Sequence, residues 1–506
     1  MYRDRDFDLQ RQLPWNQEAL TQDLGLNTLF NAMSGGDEFL ATVARHAILL
    51  GPQEELETVF YRQAVLKDCL RNSSIARRIY DVALEAIENK RKEWFLSFAR
   101  HPSGILYGAV KLMEMLIKSL GKLRSIADAH AHEFESEGFR TFFALIKNEL
   151  TDEYLVSVKA HLKELKLDRG ILVSASLGKG THGANYVLRK SADTTPRWME
   201  WMPGHRPSGH TFHISERDEA GTRALSDIQS RALNLVANAL AQSVDHVVNF
   251  FSLLQAELAF YLGCVNLHRC LSEKGGPVCL PVPAVAGTRK LSCVELRDVS
   301  LILTSKKEVI GNDLEADDKA LCVITGANQG GKSVFLRSVG LAQLMMQAGM
   351  FVAAKSYRAD MCRALFTHYK REEDVTLQRG KFEEELHRMS EIVDALTPDA
   401  LLLFNESFAA TNEREGSEIA HQVVHALHEA GTRIFYVTHL YDFARGLWEE
   451  NIGNALFLRA EREADGRRTF KILPGEPLQT SFGVDLYEEI FAAGPAAERA
   501  ALQPSV

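Results

Sequence analysis

The stretch from Leu321 to Ser333, LCVITGANQGGKS, is an apolar run that enters a glycine-rich turn and leaves it as a helix-forming run, Val334 to Gln347. A strand feeding a helix through G-x-x-x-x-G-K-S leaves the chain few folds, because this order is the one a phosphate-cradling loop requires. Gly326, Gly330 and Gly331 let backbone N–H groups around Asn328 turn inward on phosphates. Lys332 reaches the β- and γ-phosphate oxygens, Ser333 offers its hydroxyl to Mg²⁺, and the helix N-terminus adds partial positive charge. The pattern predicts a nucleoside-triphosphate site within an α/β domain.

The rest of the chain must accommodate that domain. At 506 residues there is room for two to four domains at roughly 150 residues each. The N-terminal residues Met1 to Asp6 carry no apolar core for export, and no run is expected to reach membrane-spanning length. Seven cysteines without a C-x-x-C pair read as reduced thiols, not as a disulfide framework or a zinc site. Together these predict an intracellular, cytoplasmic protein. The net charge of −9 neither supports nor excludes nucleic acid, since binding depends on local patches.

Residues 1–290 read as mostly helical. Thr222 to Leu262 contains neither Gly nor Pro, and Leu225, Ile228, Ala232, Leu235 and Ala239 follow a 3-4-3-4 spacing that predicts one apolar seam. Roughly forty residues at 1.5 Å each span about 60 Å, the length of a lever or coiled-coil arm. Phe139 to Leu167 is a second helical run and a candidate antiparallel mate. Between them, about 170–221, Ile171 to Ala175, Tyr186 to Leu188 and Thr211 to Ile214 read as short strands broken by Gly and Pro, a β-rich tip. Pro277 to Gly287 reads as a linker, and strands then alternate with helices to about residue 475. The predicted fold is a helical core and lever domain, 1–290, followed by an α/β P-loop ATPase domain, 291–506.

Two further strand ends supply chemistry. Leu401 to Phe404 runs into Asn405-Glu406. A second nucleotide-site strand needs such an end: one acidic residue for the hydrated magnesium ion, then a Glu that polarises the attacking water. Here the first position is an amide, Asn405, which still hydrogen-bonds a magnesium-bound water but brings no charge. Glu406 remains as the base. Arg433 to Val437 is another apolar strand, ending in Thr438-His439, where the imidazole can meet a γ-phosphate or the water.

Order and spacing together resemble the MutS family of DNA mismatch repair ATPases. Thr325 to Ser333 is similar to that family's T-G-P-N-M-G-G-K-S, and Met346 to Ala354 to its M-A-Q-I-G-S-F-V-P-A. Asn312-Asp313 matches the N-D before the nucleotide strand. Asn405 to Gly416 keeps the length of D-E-x-G-R-G-T-S-x-x-D-G, and Ser481 to Val484 resembles S-Y-G-I. The resemblance implies an ABC-type ATPase using ATP and Mg²⁺, working as a homodimer. Its composite sites would join one subunit's phosphate loop, Asn312 included, to the other's signature segment, Asp374 to Glu385. Gly380 stands where the family often has Ser, so a backbone N–H or Lys381 would contact the γ-phosphate. A solvated helix charge accounts for Lys381 equally well. Asn405 in place of Asp implies slow hydrolysis.

Family members that read mismatches carry an N-terminal wedge domain, whereas Asp23 to Leu26 already leads into the helical core, so a short member without that domain is expected. DNA contact then falls to the tip. Residues 171–225 hold seven Lys and Arg against five Asp and Glu, with Lys179, Arg189, Lys190, Arg197 and Arg206 as candidate phosphate contacts. His182, His205, His210, His213, Trp198 and Trp201 add donors and stacking surfaces. The expected function is an ATP-gated clamp on duplex or branched DNA in repair or recombination, without mismatch preference and without a membrane. The alternative is an ATP-dependent switch that grips a protein or ribonucleoprotein, with vestigial hydrolysis.

Overall fold

The computed structural model describes residues 1–96, 101–168, 170–179, 183–189, 210, 213–215, 217–371, 380–463 and 466–478. Two compact units emerge, one made of Met1–Ser73 with the segment from Ala259 onward, the other of Ser74–Leu258.

The first unit opens with α1 (Gln17–Asp23), α2 (Leu26–Ser34), α3 (Glu38–Leu49) and α4 (Leu56–Arg71). This division differs from a cut at residue 290, because the N-terminal helices are fastened to the α/β half. Asn16 Nδ2 donates to the Leu365 carbonyl at 2.9 Å, and Ser300 Oγ donates to the Gly25 carbonyl at 3.2 Å.

The second unit comprises α5 (Ser73–Leu96), α6 (Pro102–His130), α7 (Glu137–Glu149), α8 (Asp152–Leu165), the antiparallel hairpin β1 (Leu172–Leu177) with β2 (Gly183–Arg189), and most of α9 (Glu219–Glu273). The single helix expected over Phe139 to Leu167 is two, because Thr151 caps a new helix through Tyr154 N at 3.2 Å. In the third expected strand His213 and Ile214 are not strand, and Thr211 and Phe212 lie outside the described residues.

Helix α9 has 55 residues, longer than Thr222 to Leu262. Its buried side runs through Leu233, Ala237, Val244, Val248 and Phe251, whereas Leu235 of the expected seam is 75% exposed. The expected seam holds only in part, since Ala232 is buried while Leu225 and Ile228 are exposed along with Leu235. An 18-residue window of α9 reaches a mean hydropathy of 1.4, so one run does have the length and composition to cross a membrane. Since 56% of that window is buried inside the protein, it has the character of a core helix.

The α/β part of the first unit contains β3 (Val282–Ala284), β4 (Leu291–Leu296), α10 (Val299–Thr304), β5 (Asn312–Glu315), β6 (Leu321–Gly326), α11 (Lys332–Gln347), β7 (Ser356–Asp360), β8 (Leu365–Tyr369), α12 (Lys381–Asp394), β9 (Leu401–Asn405), α13 (Glu413–Glu429), β10 (Arg433–Val437), α14 (Tyr441–Glu449), β11 (Ala455–Arg462) and β12 (Arg468–Pro474). The expected linker Pro277 to Gly287 is partly sheet, since β3 pairs with β7 in a four-stranded sheet of order β3-β7-β4-β5.

The main sheet has the order β12-β11-β6-β10-β9-β8 and is parallel except for β12. Its central strands are apolar on both faces because both are covered. Leu321, Val323, Leu402, Phe404, Ile434 and Tyr436 face a core built with Met389 and Ile392 of α12, Val424 and Leu427 of α13, and Phe443 and Leu447 of α14. On the opposite face Leu403 approaches Gly340 of α11 so closely that a Cβ there would stand 2.6 Å from Leu403 Cδ1.

Arg62 of α4, fully buried, is the polar anchor of the N-terminal segment. Its guanidinium lies 3.7 Å from the buried Glu54 carboxylate, and its Nε and Nη1 donate to the carbonyls of Met1 and Ala348. Glu54 also accepts from Tyr2, Arg5 and Arg11. Gly349, left-handed at φ +81°, ends α11 against Arg62, whose Cβ would lie 2.4 Å from a Cβ at that position. Removing the carboxylate leaves Arg62 uncompensated. Glu54→Ala should therefore lose about 3 kcal/mol or more in urea unfolding. Arg5→Ala, whose charge is half in water, should lose less than about 1 kcal/mol.

Candidate nucleotide site

Parallel pairing brings the carboxyl ends of three strands level. Val437 of β10 stands opposite both Ile324 of β6 and Asn405 of β9. The ladder continues past the strand ends, with Glu406 N donating to Val437 O at 2.9 Å and Thr438 N to Ile324 O at 3.1 Å. The chain then turns away at Gly326, Glu406 and His439, opening a cleft at the place where parallel α/β sheets bind ligands.

The loop after β6 is shaped by close approaches. A Cβ on Gly326, at φ +108°, would lie 2.9 Å from Ala460 N, and one on Gly330 would lie 2.7 Å from Ala460 Cβ. Gln329 and Gly331 have φ of +58° and +91°. Gly331 caps α11 without a side chain, so the first-turn N–H groups of α11 have no side-chain cap. Lys332 is buried and folds back, its Nζ donating to the Gly326 and Ala327 carbonyls at 2.9 Å each. Burial lowers its pKa to about 8; Glu406 opposes that shift and Arg468 adds to it.

Ser333 Oγ donates to Asn405 Oδ1 at 2.8 Å. Glu406 Oε1 accepts from His439 Nε2 at 2.8 Å, and this hydrogen bond, against the opposing effect of burial, holds the carboxyl below its usual range. Asn328, Gly330, Gly331, Lys332, Ser333, Glu406 and His439 line one cleft of about 400 Å³, with Asn312 at its wall. The Asn312 amide is committed to β12, donating to Phe470 O and accepting from Ile472 N, so its part is to hold that strand in place. A separate hollow of about 30 Å³ between Arg289, Gln343 and Arg433 has room for a water and no ligand.

Gly380 and Lys381 begin α12 and do not line this cleft. Residues 372–379 of the expected signature segment, the Ser481 to Val484 motif, and Lys190, Arg197 and Arg206 lie outside the described residues. Lys179 and Arg189 are exposed on or beside the β1–β2 hairpin, where Arg189 Nε donates to Ser174 Oγ at 2.8 Å.

Several site residues escape sequence reasoning. Phe470, 48% exposed with φ +60°, and Val309 and Ile310 form an apolar wall of the cleft. Arg468 has Nε and Nη2 buried without a protein acceptor. Behind Glu406, the turn Glu406-Ser407-Phe408 has φ of +55° at Glu406 and +62° at Phe408. Non-glycine residues hold that conformation only where the surroundings impose it.

Buried His368 imposes it here. Its pKa is lowered to about 4, mainly by burial, so the ring is neutral. Its Nε2 faces the Glu385 carbonyl at 3.0 Å and donates there, while Ser407 Oγ donates to the His368 carbonyl and lies 2.7 Å from Nδ1. Tyr436 OH donates to Ser407 O at 2.9 Å.

Gly416, the last residue of the motif begun by Asn405, has a packing reason. A Cβ there would lie 2.3 Å from the Phe408 carbonyl oxygen, a backbone atom with little freedom. Gly416→Ala should therefore destabilise the protein by about 1–3 kcal/mol in thermal or urea unfolding. Gly453→Ala, where a Cβ meets nothing within 4 Å, should stay near wild type and serves as the control.

Two family profiles match the chain: the MutS2 N-terminal domain over residues 54–274 and MutS domain V over residues 322–501. Among curated relatives, a "DNA mismatch repair protein MutS" of Desulforamulus reducens is 35% identical over 276 residues, 52% of this chain and 31% of its own length. The protein of the same name from Porphyromonas gingivalis is 32% identical over 192 residues, 36% of this chain and 21% of its own. An "Endonuclease MutS2" of Lacticaseibacillus paracasei is 30% identical over 212 residues, 41% and 26% respectively. The chain thus covers between about a fifth and a third of these relatives. The two profile matches fall on the helical part and on the cleft-bearing sheet, and the chain belongs to the MutS family.

Proposed function

We propose that this chain is an ABC-type ATPase that binds ATP with Mg²⁺ in the cleft and uses it to gate contact with DNA. One observation carries the ATP reading: Lys332, Ser333, Asn405, Glu406 and His439, from three strand ends, converge on one cleft floored by an uncapped helix N-terminus. The cleft also fits the group chemically. Lys332 is a desolvated ammonium whose Nζ donates to two carbonyls, and Arg468, near enough to lower the Lys332 pKa, has buried donors without a protein acceptor. Phe470, Val309 and Ile310 offer an apolar face for a base.

In this reading Ser333 and Asn405 hold Mg²⁺, which supplies charge neutralisation at the phosphates when bound. Glu406, ionised at neutral pH, accepts a hydrogen bond from the attacking water and orients it. His439 fixes the carboxylate and stands ready to donate to a γ-phosphate oxygen. Asn405 coordinates without charge, so turnover is slow. A homodimer, with Gly380 and Lys381 of each subunit serving the other's nucleotide, completes the site.

Lys332 supplies the test. With a free-state pKa of about 8, it is charged at pH 7 and largely neutral at pH 9. Phosphate binding requires the ammonium, so binding above pH 8 takes up a proton. ATP affinity should be roughly tenfold weaker at pH 9 than at pH 7. Calorimetry in buffers of different ionisation enthalpy should register the uptake. Lys332→Ala should abolish tight binding, and wild-type affinity in that variant removes the phosphate-loop assignment.

The DNA reading draws on the family and on the exposed cations of the hairpin. Such Lys and Arg reach phosphates, which carry no sequence information, so matched and singly mismatched duplexes should bind alike. In salt-dependent filter binding, Arg189, Lys190, Arg197 and Arg206 changed together to Ala should weaken all DNA substrates. The salt slope should fall by about 1 for each cation that reaches a phosphate in the wild type. A wild-type preference for a G·T mismatch over G·C would sink this reading. Absence of binding even at low salt would turn the case toward a protein or ribonucleoprotein partner.

A further inference from the structure

We propose that His421, His425 and Glu450 form a binding site for a divalent transition-metal ion, with Zn²⁺ the best chemical match, that staples α13 to α14. The site is separate from the nucleotide cleft and stands on its own geometry. His421 and His425 are four residues apart on α13, so both rings project from one face of the helix, with centroids 4.5 Å apart. Glu450, the C-cap residue just after α14, offers one carboxylate oxygen to each ring. His421 Nε2 lies 2.5 Å from Oε1, and His425 Nε2 lies 2.8 Å from Oε2.

The three ligand atoms lie within 4.8 Å of one another. A tetrahedral ion with bonds of about 2.0–2.1 Å separates its ligands by about 3.3 Å, so each imidazole–carboxylate contact, 2.5 and 2.8 Å here, widens slightly to admit it. Two imidazole nitrogens and one carboxylate suit Zn²⁺, Co²⁺ or Ni²⁺, whereas Mg²⁺ and Ca²⁺ prefer all-oxygen sets. The side chains of His421, His425 and Glu450 are 31%, 36% and 35% exposed, which gives an ion an entry path and leaves a fourth position for water. Without metal each Nε2 carries the hydrogen it donates to Glu450. On binding, that hydrogen moves to Nδ1 and the Nε2 lone pair faces the ion.

The position gives the staple a consequence. Helix α13 follows the turn that carries Glu406, and α14 follows His439 within two residues. A metal joining the two helices would restrain the elements that lead away from both groups.

The experiment uses the full chain without a polyhistidine tag and without nucleotide, which would itself chelate metal. Zn²⁺ titration calorimetry and the visible spectrum of added Co²⁺ are compared between wild type and the His421→Ala/His425→Ala double variant. Wild type should bind one more equivalent of Zn²⁺ than the double variant, give a tetrahedral Co²⁺ spectrum, and gain thermal stability with Zn²⁺ that the variant does not. Excess Mg²⁺ should not compete. Glu450→Gln, a milder change that keeps the helix end intact, should bind at least about tenfold more weakly, since loss even of an outer-shell partner has that effect. Equal stoichiometry and affinity in wild type and both variants, or no Zn²⁺ binding by wild type, overturns the proposal and leaves the cluster a hydrogen-bonded surface group.

Discussion

The parallel hydrogen-bonded ladder joining β6, β10 and β9 is the constraint on which the candidate site depends. Because Ile324, Val437 and Asn405 share one level, three loops leave the sheet at the same height and their first polar residues meet. A one-residue slip of β9 would turn Leu402 and Phe404 out of the core and carry Asn405 away from Ser333. The register is held by the same apolar side chains that build the core, so packing and chemistry are secured by one set of contacts.

Electrostatics then distinguishes the residues that the ladder gathers. Lys332 and Glu406 are both partly desolvated, yet their proton affinities are set differently. The lysine is controlled mainly by burial and the carboxylate mainly by the hydrogen bond from His439. The first is poised to gain from an incoming anion; the second is already a stable carboxylate. Between them Asn405 accepts the Ser333 hydroxyl without adding charge, which leaves this corner of the cleft less negative than an aspartate would. The left-handed turn after β9 is stabilised from behind by His368, whose Nε2 donates to the Glu385 carbonyl of α12 and whose own carbonyl accepts from Ser407 Oγ.

The N-terminal helices show a different economy. Glu54 gathers Tyr2, Arg5, Arg11 and Arg62, and Arg62 reaches the carbonyl just after α11, the helix that starts at the glycine-rich loop. The first 73 residues thereby become part of the unit that holds the cleft. No periodicity announces this, because it rests on one buried charge cluster and a few backbone carbonyls distant in sequence.

The apolar strands, the glycine loop, the Asn405-Glu406 pair and the order that ends in His439 were legible in the chain, because local pattern and motif spacing are short-range properties. The sequence also marked the β1–β2 hairpin and the length scale of α9. It placed the apolar seam of that helix only in part, Ala232 being buried and Leu235 exposed, since apolar residues on two faces can be ranked only by what packs against them. Only the folded chain shows that Asn312 holds β12, that Phe470 stands at the cleft with Arg468 in electrostatic reach of Lys332, and that Gly416 is required by the Phe408 carbonyl. Each of these depends on atoms brought together from far apart in the chain, and no local pattern encodes a distance of that kind.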